Sequence, residues 1–428
     1  MNHQAEPLPP ADAAGSPQPV AGGERLHSLD LVRGIAVLGI LLANVVAFGH
    51  PDLAYFWPPA LPGGGNEGDE LVWLAQFVLV DGKFRGAFTM LFGAGMLLFI
   101  DGKGGAREGV SLQMRRLGWL ALFGVAHFIL LFRGDILFSY ALAGLVALFF
   151  IRLDAMRLLA IGTIWAVAGA LAPILNFLTP VLIEAGSSAG VDGASTYYAE
   201  YWATLETDSR MQEVVYSGDS YGGVLHFVLG NEMTLLASYA VYIFFETIPK
   251  VLLGMGLYRA GVFALGEGVP HWRGLAVIGV VAGLALHLVT GLYVMGEGFP
   301  PYLTQMAFFG LSGLFAIPLL LGAMPLLAQW AARPHVGWLA ERLSLAGRMA
   351  FTNYIGTSLI MVLVFQGWAG GLYGQLHRVE LLPVVLLGWA LMIAFSRFWL
   401  AHFRYGPLEW LWRCLTYWRL FPNRLPRD

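Results

Sequence analysis

The residues of this sequence that could do chemistry are a few ionisable side chains inside long apolar stretches. Glu246 and Lys250 stand four positions apart, with the acid first and Pro249 between them. In a helix this spacing puts both side chains on one face, and the proline frees the carbonyl of Phe245 and kinks the helix. A charge inside a membrane span costs at least about 2.5 kcal/mol and usually faces a cavity. Glu246 and Lys250 are therefore candidate catalytic residues, or else a self-neutralising structural pair.

A histidine and a charged turn form the second group. His127 follows Arg116 at a distance of roughly 16 Å for a helix that rises about 1.5 Å per residue, which places it near the middle of a membrane. A histidine at that depth could transfer protons, so His127 is a third candidate catalytic residue, unless it only bonds to a neighbouring helix. Arg133 and Asp135 flank the turn that follows and are candidate substrate-binding residues, although Asp135 could simply cap the next helix.

Further polar residues near the ends of apolar stretches are candidates for binding a substrate. They are Asp30, Arg33, Asn44, Lys83, Arg85, Arg348 and Asn353. Asp30 and Arg33 are three apart and can pair, with the arginine reaching to the interface. Lys83 and Arg85 interrupt an apolar stretch and suit an anionic group such as a lipid phosphate or a carboxylate. Interhelical hydrogen bonding is the alternative for Asn353.

Several kinds of chemistry are excluded by the sequence. Its one cysteine, Cys414, cannot form an internal disulfide or a cysteine-based zinc site. It has no Cys-x-x-Cys, His-Glu-x-x-His, P-loop or Gly-x-Ser-x-Gly pattern, so we expect no metal site. The net charge of −3 gives no indication of a nucleic-acid partner.

The elements that must position these residues are membrane-spanning helices. Of the 428 residues 57% are hydrophobic and only 12% are charged, against about 25% charged in ordinary soluble domains. We predict an all-α, polytopic integral membrane protein of about ten transmembrane helices, each needing about 20 apolar residues. The ten segments are 29–48, 71–100, 115–132, 135–151, 157–183, 233–258, 273–295, 303–330, 345–368 and 380–401.

The distribution of positive charge supports this count and predicts the orientation. With both termini placed in the cytoplasm, the inside loops carry most of the cations, whereas the outside loops carry only Arg133, Arg210 and Arg378. The inside cations include Arg25, Lys103, Arg107, Arg115, Arg116, Arg152, Arg157, Arg259, Arg273, Arg333, Arg342, Arg348 and the tail arginines from Arg404 onward. An excess of Lys and Arg on the cytoplasmic side is the rule for such proteins.

Four regions follow from these patterns. Residues 1–24 are a disordered tail, and residues 25–232 are a five-helix half that contains an external segment, 184–232. Residues 233–402 are a second five-helix half, and 403–428 are an interfacial cytoplasmic tail rich in Trp and Arg. The expected location is the bacterial plasma (inner) membrane, with membrane lipids as partners. Glycine-rich faces permit a homodimer.

Several motifs resemble one bacterial family. The sequence resembles the YeiB-like membrane proteins, and its C-terminal third resembles the DUF418 domain that defines them. The matching motifs are Leu29-Asp30-x-x-Arg33-Gly34-Ile35-Ala36-x-Leu38-Gly39-Ile40 with Asn44, Lys83-Phe84-Arg85 with Phe92-Gly93-Ala94-Gly95, Gly134-Asp135-Ile136-Leu137 with Tyr140, Gly347-Arg348-Met349-Ala350-x-Thr352-Asn353-Tyr354, and Phe403-Arg404-x-Gly406-Pro407-Leu408-Glu409-Trp410-Leu411-Trp412-Arg413.

The resemblance implies a relationship to membrane acyltransferases, which move acyl groups from a cytoplasmic donor to an acceptor across the bilayer. The residues themselves establish no cofactor; acyl-CoA is the donor that the resemblance implies. The related acetyltransferase of lysosomal heparan sulfate uses a histidine just after its first helix. His50 occupies a loosely comparable place, within a motif that does not match.

Three functions remain open at this point. An acyltransferase would use His127 or Glu246 as the base in a cavity lined by the first, second, third and sixth spans, and it would hold anionic groups with Lys83, Arg85 or Asn44. A transporter or lipid-handling protein would use Glu246, Lys250 and His127 to bind substrate or to relay protons. A scaffold would use the polar groups only for helix packing.

Overall fold

The structure, a computed structural model, describes residues 27–103, 106–187, 195–263, 273–332 and 337–426. The predicted disordered tail, 1–24, lies outside the described residues. Within those ranges the chain forms helices and no β-strand, only an isolated bridge between Phe403 and Arg424. The all-α polytopic fold class is confirmed.

The described chain contains eighteen α-helices. They are α1 (His27–Gly49), α2 (Asp52–Phe56), α3 (Glu67–Leu79), α4 (Lys83–Asp101), α5 (Ala106–Leu130), α6 (Leu137–Ala147), α7 (Ala155–Ser187), α8 (Ser195–Tyr216), α9 (Tyr221–Phe227), α10 (Met233–Tyr242), α11 (Ile248–Arg259), α12 (Arg273–Gly296), α13 (Pro301–Gln305), α14 (Ser312–Ala331), α15 (Gly337–Arg348), α16 (Ala350–Phe365), α17 (Arg378–Leu400) and α18 (Pro407–Tyr417). Turns of π-helix at Val228–Glu232, Ile243–Thr247 and Met306–Leu311 join α9 to α10, α10 to α11 and α13 to α14.

Length and composition identify seven spans among the described helices. They are Leu29–Gly49, Glu67–Asp101, Ala155–Gly186, Tyr221–Arg259, Arg273–Gly296, Pro301–Ala331 and Arg378–Leu400. An eighth results if α15 and α16, which meet at 84°, count as one broken span. The remaining two of the ten predicted spans correspond to α5, whose first half is charged, and to the apolar but short stretch Leu137–Phe150. The count of ten stays a prediction.

Helix α1 lies at the centre of the bundle. It packs against α4, α14, α15, α16 and α17, and most of its residues are buried. Its contact with α15 is backbone to backbone: a side chain on Gly34 would collide with the carbonyl of Leu343, and one on Gly347 would collide with the carbonyl of Asp30. Small residues allow such close approach in membranes. The motif that begins at Leu29 and the motif that begins at Gly347 therefore meet at one helix–helix contact.

The break between α15 and α16 is stabilised from outside the spans. Met349 separates the two helices, so α16 begins with amides that no preceding turn can satisfy. The carboxylate of Glu409, in the first turn of α18, accepts hydrogen bonds from the amides of Phe351 (2.8 Å) and Thr352 (3.0 Å) and from the hydroxyl of Thr352. Helix α18 is thereby fixed against the break.

Candidate active site

A cavity of about 380 Å³ opens at the end of the bundle where the sequence predicts the cytoplasm. It lies between α1, α4, α5, α6, the break before α16, and α18. Its polar end carries Arg33, Arg116, Arg348 and Arg413. Its other end is aromatic and consists of Phe88, Phe92, Tyr140, Phe351 and Tyr354. The cavity therefore has cations at one end only, whereas aromatic rings line it throughout.

Aromatic rings hold the two central arginines. The guanidinium of Arg116 lies 4.1 Å from the ring centre of Phe99 and 4.3 Å from that of Trp412. The guanidinium of Arg413 lies 4.2 Å from the ring centre of Tyr405. Stacking fixes a guanidinium but leaves its N–H groups unused. Among the described residues no carboxylate lies within ion-pair distance of Arg116 or Arg413.

The positive potential at this end acts on a neighbouring lysine. Lys103 stacks over Phe99 and Tyr417 at 5.1 Å from each ring centre. Burial, followed by the charges of Arg413 and Arg116, lowers the pKa of Lys103. Cations that are close enough to repel one another are typical of a site that binds an anion. The cavity also contains the buried Oε1 of Gln113, which has no hydrogen-bond partner in the described part of the chain.

The predicted residues Asp30, Arg33 and Arg348 lie at this same end. Asp30 is buried and pairs with Arg33 at 3.2 Å, as the three-residue spacing predicted. Arg348 donates to the carbonyl of Arg404 at 3.4 Å. Arg33 and Arg348 line the cavity, whereas Asp30 acts through Arg33.

His127 and Asp135 form a second group, buried between α5 and α6. The Nδ1 of His127 lies 2.9 Å from Oδ1 of Asp135, and the other carboxylate oxygen accepts from the amide of Phe138 at 2.7 Å. Because a carboxylate accepts and cannot donate, Nδ1 carries a proton, and in the neutral imidazole Nε2 then carries the lone pair. That Nε2 is buried without a hydrogen-bond partner in the described residues. A carboxylate that orients a histidine with a free Nε2 is the arrangement of a general base.

One tyrosine separates this pair from the cavity. The ring of Tyr354 lines the inner end of the cavity and lies 4.9 Å from the His127 ring, centre to centre. Its hydroxyl accepts from the amide of Ile136 at 3.3 Å. Tyr354 therefore contacts both the cavity and the ring of His127, which does not itself line the cavity.

A second buried histidine differs from His127 because both of its ring nitrogens are hydrogen-bonded. His287, on α12, has Nδ1 2.7 Å from the carbonyl oxygen of Gly283 and Nε2 3.2 Å from the hydroxyl of Ser312. Both of its nitrogens are occupied, as a structural role requires. His50 is also buried, and burial together with the charge of Arg378 lowers its pKa to about 4. Neither His50 nor His127 itself lines the cavity, and the Nε2 of each has no hydrogen-bond partner in the described residues; His127 differs in its bond to Asp135 and its contact with Tyr354.

Arg133 is held in place rather than presented to a substrate. Its guanidinium binds Glu232 at 2.7 Å, Asp52 at 2.9 Å and Gln212 at 3.1 Å, and its carbonyl accepts from the hydroxyl of Tyr239. This network joins α2, α8 and the turn before α10 to the loop that contains Asp135. Arg133 therefore positions the loop beside the His127–Asp135 pair.

Glu246 and Lys250 form a third group with Arg85. Glu246 lies in the π-helical turn Ile243–Thr247, just before Pro249, where the helix gains the extra residue that absorbs the proline. One oxygen of Glu246 accepts from Lys250 and lies 3.5 Å from Arg85. The predicted pair on one helix face is present, and Arg85 joins it from α4.

The side chains of the remaining predicted residues are not bonded to these groups. Lys83 donates to the carbonyl of Phe77 and is buried. Asn353 donates to the carbonyl of Ala346 at 3.0 Å and to Ser396 at 2.9 Å, so it joins α15, α16 and α17. Asn44 is half-buried and makes no side-chain hydrogen bond to another described residue. The structure thus distributes the predicted residues over several groups instead of one chamber.

Several cavity residues are not among the site residues predicted from the sequence, including Arg116, Arg413, Tyr140, Tyr354 and Glu409. The arginines were counted only as topology signals, because positive charge at a helix end is expected there anyway. The resemblance motifs contain Tyr140, Tyr354, Glu409 and Arg413, and that was the available signal. No group of three or more His, Cys, Asp or Glu that could hold a metal ion occurs in the described ranges.

Comparisons with known proteins identify relatives in bacteria. Residues 257–419 match the family model described as a protein of unknown function, DUF418. Uncharacterized protein YeiB of Escherichia coli is 29% identical over 402 residues, which cover 92% of this chain and 96% of that protein. Uncharacterized protein YxaH of Bacillus subtilis is 28% identical over 426 residues, covering 94% and 96%. A 39.9 kDa protein encoded beside an amylase in Bacillus acidopullulyticus is 28% identical over 415 residues, covering 96% and 99%. No solved structure matches the chain.

Proposed function

From the premise that this chain is a YeiB-like membrane protein with a DUF418 domain, we propose that it transfers an acyl group from a cytoplasmic acyl-CoA to an acceptor in the membrane or envelope. The observation that carries the proposal is the His127–Asp135 pair. Its unpartnered Nε2 lies one tyrosine ring from the aromatic end of a cavity whose other end is cationic. We place the protein in the bacterial plasma membrane as a multi-pass protein.

The two ends of the cavity fit the two ends of such a donor. Arginines bind phosphates through planar sets of N–H donors, and the stacked guanidiniums of Arg116 and Arg413 keep these donors available. The thioester arm would extend along Phe88 and Phe92 towards Tyr140 and Tyr354. The volume of about 380 Å³ lies near the lower end of the range of roughly 300–1,000 Å³ for small-molecule sites, so the cavity would hold part of the donor and leave the rest outside.

The chemical step needs one base and no redox partner. The acceptor hydroxyl or amine attacks the thioester carbonyl while Nε2 of His127 accepts its proton. The new C–O or C–N bond forms, the C–S bond breaks, and the proton passes to the sulfur to give free CoA. Asp135 holds the imidazole in the required tautomer and stabilises the imidazolium while it exists.

The test compares the two buried histidines. Purified full-length protein in proteoliposomes is given acetyl-CoA labelled in the acetyl group, and labelled lipid and released CoA are measured. We expect His127→Asn to lose transfer by at least about a hundredfold while its dissociation constant for CoA stays unchanged. His287→Asn serves as the matched control, because His287 makes structural hydrogen bonds only. Its rate of transfer per folded molecule should equal that of wild type. Wild-type protein that neither binds CoA nor releases it from acetyl-CoA would exclude the proposal.

A transporter or lipid-handling protein is the second candidate, and one observation favours it. Arg85 and Glu246 keep 38% and 24% of their side chains exposed, away from the arginines of the cavity. A charged group within the spans that lies apart from the cavity suits a substrate site of a transporter. Lipid movement without acyl-CoA, or pH-dependent uptake of a solute, would be measured in proteoliposomes. Either activity would support this candidate over acyl transfer if Glu246→Gln loses it and His127→Asn keeps it.

A further inference from the structure

We infer that Arg85, with Glu246 and Lys250, binds the phosphate of an anionic lipid, and that this lipid is the acyl acceptor. The second half of the inference rests on the proposed function; the binding itself does not. The site is distinct from the arginine end of the cavity, because neither Arg85 nor Glu246 nor Lys250 lines that cavity.

The charge of the group is the first reason. One carboxylate oxygen of Glu246 serves both Lys250 and Arg85, and the next charges, Asp81 and Lys83, offset each other, so the group keeps one more cation than anions. A cation without a counter-ion inside a membrane span is costly, and such residues face a cavity or a partner. The group therefore has room for one more negative charge.

The hydrogen bonds of Arg85 point to the same conclusion. Its contact with Glu246 is long, at 3.5 Å, and its buried Nε–H has no hydrogen-bond partner in the part of the chain that the structure describes. Its guanidinium stacks over Tyr242 at 5.2 Å from the ring centre, which fixes the plane of the donors. A phosphate accepts from two parallel N–H groups of such a guanidinium.

The surroundings indicate that the phosphate belongs to a lipid. Val241 and Phe244, on the same helical stretch as Glu246, are 62% and 49% exposed. Large apolar side chains exposed on a membrane-spanning helix contact lipid tails. The side chain of Arg85 is itself 38% exposed, so a lipid in contact with this part of the protein could place its head group at the guanidinium, whereas a free anion would gain nothing from the apolar surface.

The site adjoins the donor cavity through one side chain. The hydroxyl of Tyr140 accepts from Thr89 at 3.0 Å and donates to the carbonyl of Arg85 at 3.3 Å, while Tyr140 itself lines the aromatic end of the cavity. A lipid held at Arg85 would thus have its head-group hydroxyl near the thioester end of the donor. The reaction would give the O-acylated lipid and free CoA.

The binding experiment uses short-chain lipids with full-length protein in a nonionic detergent. Dioctanoyl-phosphatidylglycerol, dioctanoylglycerol and inorganic phosphate are titrated separately, and the melting temperature and the dissociation constant are measured. We expect saturable binding of the phospholipid only, and about tenfold weaker binding in Arg85→Gln, as for the loss of one charge-assisted hydrogen bond. Arg210→Gln, which removes an exposed outer arginine (80% exposed), is the matched control and should bind as wild type. Arg85→Lys should lie between, because it keeps the charge and loses the planar donors.

Three results would overturn the inference, and they can be told apart from failure of the proposed function. Equal stabilisation of the protein by inorganic phosphate would show that the ligand need not be a lipid. Unchanged affinity for the phospholipid in a folded Arg85→Gln would show that Arg85 does not bind it. CoA release that the phospholipid does not stimulate, in protein that binds CoA, would remove the acceptor role while leaving acyl transfer in place. Protein that binds the phospholipid through Arg85 but never binds CoA would instead refute acyl transfer and keep the lipid site.

Discussion

Replacing Arg116 by Gln should abolish tight binding of CoA and leave the fold intact. The guanidinium of Arg116 is the central cation of the cavity, stacked between Phe99 and Trp412 with no carboxylate partner among the described residues. Arg33 and Arg413 are close enough to repel it. Two opposing effects act on the empty protein, since the substitution loses the stacking and also removes the repulsion.

The magnitude follows from the contacts that the arginine would make. A hydrogen bond to a charged group contributes about 1.5–3 kcal/mol, so one lost phosphate contact weakens binding by about 10- to 150-fold. Each of the two stacking contacts contributes about 0.5–1 kcal/mol at an accessible site, and relief of the repulsion offsets part of that loss. We therefore expect a change in unfolding free energy of less than about 1 kcal/mol without ligand.

The assay is titration calorimetry of CoA into purified protein at two salt concentrations, with a melting curve for each variant. Arg116→Lys keeps the charge and loses the planar stack, so it should retain part of the affinity. Arg157→Gln is the matched control, because Arg157 is 72% exposed and pairs with Asp154 away from the cavity. The loss in Arg116→Gln should shrink at high salt, where phosphate contacts are screened.

Wild-type affinity for CoA in a folded Arg116→Gln would refute the assignment of the cationic end to phosphate. A large drop in melting temperature without ligand would also count against it, because it would mean that Arg116 stabilises the docking of α18 and little else.

Three further predictions concern the His127–Asp135 pair, the capping of α16 by Glu409 and the close contact between α1 and α15. Asp135→Asn should lower the rate of transfer by at least about a hundredfold, because an amide can fix the wrong tautomer of His127, and CoA affinity measured by calorimetry should not change. Burial raises the pKa of Glu409 above its ordinary value of 4.5, so the protein loses stability as the pH rises from 4.5 through the raised pKa and the carboxyl ionises. Over this pH range the melting temperature of wild type should fall relative to that of Glu409→Gln. Parallel melting-temperature profiles for the two proteins would contradict this prediction. Gly347→Ala should destabilise the protein by about 2 kcal/mol or more in thermal unfolding, because the added methyl group would collide with the carbonyl of Asp30. Gly356→Ala is the control: its methyl group would meet nothing within 4 Å, so it should be neutral or slightly stabilising.

The fold class was predictable because the bilayer constrains it so strongly. The bilayer determines how long the apolar segments must be and on which side the charges lie. Both features can therefore be recognised in the sequence without knowledge of any contact between helices. The spacing of Glu246 and Lys250 and that of Asp30 and Arg33 were equally readable, since helix geometry fixes neighbours three or four residues apart.

The site was less predictable because its partners come from distant parts of the chain. Arg85 meets Glu246 across 161 positions, and Arg116 meets Trp412 only because α18 folds back against α5. The helix break at Met349 likewise depends on Glu409, which no local pattern around Met349 reveals. The π-helical turn at Ile243–Thr247 is a local response to Pro249, but its form was not readable from the proline alone.

Because Glu409 lies 57 positions beyond Thr352, the start of α16 stays uncapped for part of translation. At about 5–20 residues per second the nascent chain leaves those amides uncapped for roughly 3–11 s, although α17 is made in the meantime. A chain that stalls before α18 would contain every span and still lack a wall of its cavity. Truncated chains would then differ from complete ones outside the bilayer, so a quality-control protease would have to recognise them there.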